Sequence, residues 1–542
     1  MQGLNARWAL AITLSFVVTG LILLPEILFS GSAIRHDIFS KEYLILLGVC
    51  ALVCISGSPR FAAGLLFLFG FMAFTEIGHF IYFGRLLSPI AVKLMFKEWV
   101  EIFDTGLSLP LHFFYAFLVV ILCYGAVAVM IYKLQRYLPS APKIVVPTLI
   151  LLMLLPIVMV ALRSDKLFFT NPAHYPIVMR AMFTYSISLE SSFFSEKCTP
   201  ETFAIPKVNL NQPPKRDVII LMGESLSASH MSVLGYARET TPWLDQQHNN
   251  SIVGFSAGSA ISAGVSTRST LPLFFNVVQN PTDRERIARG DTNLFHLAQK
   301  NGFDTTFITA QDEGVMQGVD LRGVRIIDIK KWKKKWEIKG DLGLVDILES
   351  VPPAPLRFIV IQFRAPHSPY GVHPDKRPDL YRFTSNSDNK RGEEIDSYDS
   401  AVLVVDDVVR RIVERLGVKE KASYFFMTSD HAELLGNKGL WGHALLDMEV
   451  AKVPLILIAP KNDRRFWSWV NETPIPSHYQ IARQIAYVLG AKILDLTSDE
   501  NHFVNGPSAF GVDGYLLWKK LNGRAVELFR AANECSVMQY VN

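Results

Sequence analysis

Asp217-Val-Ile-Ile-Leu-Met-Gly-Glu-Ser225 is the stretch on which the reading of the fold turns. Its apolar run is short, rich in β-branched residues and closed by a glycine, which is the pattern of a buried strand rather than a helix. Two chemically active residues come directly after the glycine: a carboxylate, Glu224, and a hydroxyl, Ser225. Similar runs recur at 303–309, 357–363, 423–428 and 453–459, and helical periodicity lies between them, for example over 292–301 and 398–416. Buried strands alternating with helices predict an α/β domain with a mostly parallel sheet covered on both faces. In such sheets ligands sit beyond the carboxyl ends of the strands.

The chemistry-bearing residues fall at those ends. Glu224 follows one run, and Ser429-Asp430-His431-Ala432-Glu433 follows another, with His443 twelve positions beyond His431. A carboxylate at one strand end and an Asp-His pair at a second can converge on one divalent metal. Oxygen and imidazole ligands without thiolate suit zinc, with one position left open for chemistry. Taken singly, the Asp-His pair reads equally as a helix cap or turn, so it is the combination that carries the signal. Between these ends lies Ser262-Ala-Gly-Val-Ser-Thr-Arg-Ser-Thr-Leu-Pro272. A hydroxyl there would open a helix, where the dipole favours anionic groups, and a neighbouring metal would lower its pKa toward an alkoxide nucleophile. Ser266, Thr267, Ser269 and Thr270 are all placed for this, and an ordinary N-cap is the plainer reading.

Outward from this domain, the long apolar runs of the 542-residue chain fall almost entirely before residue 163. A hydrocarbon core about 30 Å thick takes roughly 20 apolar residues of helix. Runs at 8–29, 61–83, 111–132 and 144–162 meet that length, and a shorter one at 43–55 lies between two of them. The predicted organisation is a five-helix transmembrane bundle over 1–163, a linker with an amphipathic helix over 164–215, and a catalytic domain over 216–542. A cleaved signal peptide is the alternative for the first run, but four further spans come after it. Inside loops would carry Arg7, Arg60, Lys133, Arg136 and Lys143. Outside loops carry Arg35, Lys41, Arg85, Lys93 and Lys97, partly offset by Asp37, Glu42, Glu98 and Glu101. This bias places the N-terminus in the cytoplasm and the large domain outside it. A net charge of +4 gives no general argument for nucleic acid.

With these motifs in view, the chain resembles the phosphoethanolamine transferases of Gram-negative inner membranes, within the alkaline phosphatase and sulfatase superfamily. Gly223-Glu-Ser-Leu-Ser-Ala-Ser-His-Met-Ser-Val-Leu-Gly-Tyr-Ala-Arg-Glu-Thr-Thr-Pro242 is similar to the family's opening signature. Ser429-Asp-His-Ala-Glu-Leu-Leu-Gly436 through Gly442-His443 is similar to its second. Ala365-Pro-His-Ser-Pro369 matches the family's substrate-side histidine, and the helix from Tyr398 to Asp407 matches in pattern. The resemblance implies zinc held by Glu224, Asp430, His431 and the nucleophile oxygen, with room for a second ion during turnover. It implies His367, His443 and Glu433 on the substrate side. It further implies phosphatidylethanolamine as donor, and lipopolysaccharide or another envelope glycan as acceptor. The protein would then be a monomer in the bacterial inner membrane, its catalytic domain in the periplasm. In the family's lipid A branch a Cys-Gly-Thr loop supplies the nucleophile, and Ala263-Gly-Val265 stands there in this chain. Other branches place the threonine directly before an amphipathic helix, which selects Thr267, with Ser266 second.

Competing readings use the same residues. A phosphoglycerol transferase or a sulfatase-like phosphodiesterase would share the metal site, although a formylglycine sulfatase needs a proline that Val265-Ser-Thr-Arg268 lacks. A degenerate, membrane-anchored binding protein is favoured by Val265 and opposed by the retained metal set. Cys198 and Cys535 bracket the domain and would pair in an oxidising compartment. Glu76 and His79, one helical turn apart in a span, stand as a functional pair or as residues near its outer end. The stretch 93–103, with Trp99, would lie in the membrane interface. Lys330-Lys-Trp-Lys-Lys-Lys-Trp336 is a solvated turn or a contact for an anionic surface.

Overall fold

The computed structural model describes residues 2–29, 40–97, 99, 102–103, 111–139, 142–162, 175–193, 203–213, 215–250, 254–385, 390–494, 501–507, 514–521 and 524–530. Cys198 and Cys535, and most of 98–110, lie outside these residues. The chain divides into two compact units, one taking in 1–197 with 438–441, the other the remaining residues.

The first unit is helical: α1 (Gln2–Phe29), α2 (Lys41–Cys54), α3 (Pro59–Phe83), α4 (Pro89–Lys97), α5 (Leu111–Leu134), α6 (Val145–Leu162) and α7 (Ile177–Phe193). Among the described residues four of its helices are long and apolar enough to cross a membrane, over Asn5–Phe29, Pro59–Phe83, Phe114–Tyr137 and Val145–Leu162. The expected fifth span is a helix too, but α2 has only 14 residues, short of the roughly 20 a hydrocarbon core takes. Lipid-type surface is plain on these helices: Phe16, Phe67 and Leu151 are exposed apolar side chains.

Among the described residues of this unit the acids Glu26, Glu42 and Glu76 are buried, and the first and last of them link helices. Glu26 accepts from the Tyr43 hydroxyl at 2.9 Å and from the Ile177 amide, the first of α7, at 2.7 Å. Glu76 accepts from the Leu87 amide at 3.1 Å and pairs with Arg180, which also donates to the Leu87 carbonyl at 3.0 Å. The interior charges therefore tie α7 to α1 and α3, because a buried charge is tolerated only when paired and hydrogen-bonded. His79 is turned to the Arg85 carbonyl at 2.8 Å, so the two residues singled out in this span serve separate contacts.

The second unit is built on a seven-stranded sheet. Its strands are β1 (Val218–Gly223), β2 (Phe255–Ile261), β3 (Asp304–Thr309), β4 (Arg325–Ile327), β5 (Arg357–Gln362), β6 (Tyr424–Ser429) and β7 (Lys452–Ile458). The order across the sheet is β2-β7-β6-β1-β5-β3-β4. Only β7 runs against the others, pairing antiparallel with β2 and β6; the rest are parallel. β1, β5 and β6 are apolar almost throughout because both sheet faces are covered. Helices α8 (Thr267–Phe275), α9 (Ile329–Lys339), α10 (Lys390–Leu416) and α11 (His478–Val488) do part of the covering. On one face Phe275 stacks on Phe295 at 5.4 Å between ring centroids, and Phe295 meets Phe358 of β5 at 5.3 Å. Both Phe274 and Phe275 end α8 in the core. Cutting such a ring to alanine costs about 3–5 kcal/mol, and here it would loosen the helix whose first residue is Thr267.

The basic run 330–336 lies on α9. Part of its charge is met locally: Lys330 pairs with Asp312 and Lys335 with Asp346 at 3.6 Å, which Lys339 just beyond the run also meets at 2.8 Å. Trp332 is buried, and Trp336 lies between Arg364 and Lys376, 4.8 and 4.7 Å from its ring centroid.

Candidate active site

The parallel register assembles the site. Gly223 of β1 is level with Ser429 of β6, so the next residues, Glu224 and Asp430, leave the sheet side by side. The Gly223 position is tight: a Cβ there would meet Ser429 Oγ at 3.2 Å and Leu226 Cβ at 3.3 Å, so these neighbours would have to give by a few tenths of an ångström. Five strands deliver residues to this one edge. Glu224 follows β1, the loop to Thr267 follows β2, Gln311 follows β3, His367 follows β5, and Asp430 with His431 follows β6.

Glu224, Asp430 and His431 are buried, and one ligand atom from each lies within 4.8 Å of the other two. His431 Nε2 is 3.3 Å from Glu224 Oε1 and 3.5 Å from Asp430 Oδ2. The other ring nitrogen, Nδ1, is 3.0 Å from the Ala432 carbonyl. That contact requires Nδ1–H and turns the Nε2 lone pair toward the two carboxylates, the usual orientation of a ligating imidazole. Asp430 Oδ1 accepts from the amides of Ser225 and His431 at 3.1 and 2.7 Å. Its Oδ2 is buried and has no hydrogen-bond partner among the described residues. An orphaned carboxylate oxygen facing a second carboxylate and an imidazole is an arrangement that a cation completes. The donor set, oxygen and nitrogen without sulfur, fits zinc.

Without a metal the three groups resolve their conflict with protons. Burial pushes Asp430 up, and the charge of Glu224 pushes it further, to about 7. Burial pulls His431 down, but the charge of Asp430 and the hydrogen bond to Glu224 carry it up to about 10. Burial also raises Glu224, yet the hydrogen bond and charge of His431 hold it below the usual carboxylate range. All three directions express one need, positive charge between two carboxylates.

Thr267 opens α8, and its Oγ1 is 3.2 Å from each Glu224 oxygen and 3.4 Å from His431 Nε2. The preceding loop packs tightly, since a Cβ on Gly264 would come within 2.4 Å of Ser269 Oγ. Ser266 points elsewhere, donating to the Pro507 carbonyl at 2.7 Å, with Ser269 Oγ 3.1 Å away. Val265, where an ungapped match to the lipid A branch expects the nucleophile, has a fully buried side chain. Its amide donates to the Asn505 carbonyl at 3.1 Å.

The remaining predicted residues gather beside this cluster. The His443 ring lies 4.3 Å from that of His431 and 5.9 Å from that of His367. His443 Nδ1 meets Glu433 Oε2 at 3.0 Å, while Glu433 Oε1 accepts from the Tyr370 hydroxyl at 2.8 Å. Glu433 thus faces its neighbours with both oxygens, and its influence on a ligand passes through His443. Burial raises its carboxyl, but the charge and hydrogen bond of His443 bring it below the ordinary value.

Two contributors escape a reading of the sequence alone. Gln311 donates to Glu224 Oε2 at 2.7 Å, and the strand-end rule applied to 303–309 points at it. Tyr398 of α10 is fully buried; its hydroxyl donates to the Ser225 carbonyl at 2.7 Å and accepts from the Ser227 amide at 2.9 Å. It braces a turn in which Ser225 holds φ at 58°, a conformation costly for a side-chain-bearing residue. Only the tertiary fold brings that ring to the turn.

A model of the sulfatase family matches residues 216–491, more than half of the chain and the whole of this constellation. The chain belongs to the sulfatase family. Within it, the sequence is similar to phosphoethanolamine transferase EptC of Escherichia coli (strain K12), 24% identical over 391 residues, covering 66% of this chain and 65% of that protein. The match therefore spans a little under two thirds of that relative's length. It is also similar to phosphoethanolamine transferase EptA of Escherichia coli (strain K12), 23% identical over 252 residues, 43% of this chain and 44% of that one. Among solved structures, the integral membrane protein lipooligosaccharide phosphoethanolamine transferase A (EptA) from Neisseria meningitidis superposes with a TM-score of 0.58. Its identity is 18%, with 89% of this chain and 95% of that chain covered. This shared fold includes the helical unit as well as the sulfatase-family sheet.

Proposed function

We propose that this sulfatase-family protein is a zinc-dependent phosphoethanolamine transferase. It would take the head group of phosphatidylethanolamine and pass it to lipopolysaccharide or another envelope glycan. The observation that carries this reading is Thr267 Oγ1, set at a helix start 3.2 Å from both oxygens of Glu224 and 3.4 Å from His431 Nε2. The similarity to named phosphoethanolamine transferases supports the choice of head group.

Glu224, Asp430 and His431 would hold the zinc, which supplies Lewis acidity and a lowered hydroxyl pKa at this position. Thr267 Oγ1 attacks the donor's phosphorus as the bond to the diacylglycerol oxygen breaks, leaving phosphoethanolamine on the threonine. The threonine's proton is the one diacylglycerol finally carries away. In the second half the acceptor oxygen attacks the phosphothreonine, and the acceptor's proton returns to Thr267. The amides that open α8 favour the phosphoryl oxygens. With Nδ1 committed to Glu433, His443 acts on substrate through Nε2, and His367 flanks it. Positioning and electrostatics then supply most of the rate. The helical unit would keep the site at the membrane where donor and acceptor reside, with the sheet unit periplasmic, the N-terminus cytoplasmic and the protein monomeric.

The test uses the full chain in vesicles containing phosphatidylethanolamine. Diacylglycerol release, together with a phosphoethanolamine adduct on the peptide bearing Thr267, is the expected result. Release that persists unchanged in Thr267→Ala, or in chelator-treated protein, would refute the reading. Mass spectrometry of envelope glycolipids and glycans with and without the gene identifies the acceptor.

A further inference from the structure

The two oxygens of Glu224 have different surroundings. Oε1 faces His431 Nε2 at 3.3 Å and accepts from Ser225 Oγ at 3.2 Å. Oε2 accepts from Gln311 Nε2 at 2.7 Å, the shortest contact either oxygen makes to a protein donor among the described residues. The same Gln311 nitrogen is 3.3 Å from the Phe363 carbonyl. Carboxylate and carbonyl both accept, so the amide group must present its NH2 to the pair, which removes the usual ambiguity between the two ends of a glutamine.

Gln311 is itself held. Its amide donates to Thr309 Oγ1 at 2.9 Å, and its carbonyl accepts from the Ile329 amide, the first of α9, at 3.1 Å. Phe363 in turn donates its amide to the Met222 carbonyl at the end of β1 at 2.9 Å. A closed circuit thus runs from β1 through Glu224 and Gln311 to the residue after β5, and back to β1. Such a circuit fixes the direction of one N–H bond far better than a side chain on a loose loop could.

We propose that Gln311 is a positioning residue that fixes how Glu224 meets the metal. By occupying Oε2 it confines Glu224 to one-oxygen ligation through Oε1. The coordination number is thereby kept low, and a place remains for the Thr267 oxygen and the reacting phosphoryl group. This rests on the zinc reading above. A carboxylate released from such a partner swings to bind through both oxygens, which crowds the open position that a catalytic zinc needs. Partners behind a metal ligand commonly govern affinity by about 10- to 100-fold.

The experiment compares the full chain with Gln311→Met, which keeps length and loses the donor. Zinc affinity, measured by competition with a chromophoric chelator, is expected to fall about 10- to 100-fold. The cobalt-loaded variant is expected to absorb more weakly in the visible, as the coordination number rises. A side chain that merely fills space would leave the cobalt spectrum as it was. Gln311→Leu repeats both measurements should the first variant not fold. Unchanged affinity and an unchanged spectrum in a folded variant would overturn the proposal. Failure of the wild-type chain to bind zinc at all would instead overturn the reading on which it rests.

Discussion

Glu26 and Glu76 in the helical unit, and Glu224 and Asp430 in the sheet unit, are all buried carboxylates, but their company differs. Glu76 has a guanidinium from Arg180 and an amide from Leu87; Glu26 has a hydroxyl and an amide. These acids are answered from within the chain and bind helix to helix. Glu224 and Asp430 stand beside each other with one imidazole between them, and Asp430 Oδ2 has no donor among the described residues. In the first arrangement each acid meets donors from neighbouring helices, although Glu76 Oε2, like Asp430 Oδ2, has no hydrogen-bond partner among the described residues. The second sets two carboxylates against a single imidazole, and that surplus of negative charge is the physical mark separating a site from a tie.

Mutations in the two units should separate site from tie by size and by sign. The largest effect belongs to Thr267→Ala, which should lower head-group release by roughly 10⁴-fold or more, the scale of losing a nucleophile. A turnover assay showing less than tenfold loss would remove Thr267 from its role. In the helical unit, Glu76→Ala strands Arg180 in an apolar interior and should cost about 3–5 kcal/mol, read as a lowered unfolding midpoint in detergent. No loss there would mean that the pair is not a tie.

Zinc uptake should carry a proton signature. In the metal-free fold His431 keeps its proton to about pH 10 and Asp430 to about 7, and a ligand must shed its proton to bind. Apparent zinc affinity should therefore rise with pH by about tenfold per unit for each proton displaced, with proton release visible by calorimetry in buffers of different ionisation enthalpy. Affinity flat between pH 6 and 8 (on the order of the range those values imply) would contradict it. Asp430→Asn should abolish zinc retention, yet leave the metal-free protein as stable or up to about 2 kcal/mol more so, because it removes one of two facing carboxylates. The sign is opposite to that of Glu76→Ala, and equal signs would dissolve the contrast. The smallest effect is expected for Ser266→Ala, about threefold or less on turnover, since losing the hydrogen bond to Pro507 costs of order 1 kcal/mol.

The fold is legible in the sequence where burial on two faces makes the strands continuous apolar runs, as in β1, β5 and β6. It is not legible in β2, Phe-Ser-Ala-Gly-Ser-Ala-Ile over Phe255–Ile261, whose small polar residues give no run, nor in β4, which has three residues. The reversed direction of β7 leaves no trace either, because an apolar run reads the same way in both directions. Of the site, Glu224, Asp430, His431 and Thr267 can be named because they sit next to strand or helix ends. Gln311 lies just past a strand end, so its place is legible but its partner Glu224 is not; Tyr398 cannot be named, because its partner is chosen by which strands and helices become neighbours. The motif assigns Glu433 to the substrate; that both its oxygens meet Tyr370 and His443 depends on a loop geometry no spacing encodes.

The register that sets Glu224 level with Asp430 has a consequence in time as well as space. Ser225 and the Asp430 side chain it contacts are 205 positions apart, and β1 cannot meet β6 until the chain between them has been made and threaded into the sheet. Long-range parallel pairing is slow, so the protein passes through a period in which its ligands exist but have not met. During that period Thr267 is an ordinary hydroxyl. The candidate metal ligands therefore come together only as the last central strand closes, and any chemistry of the site arrives with the finished sheet.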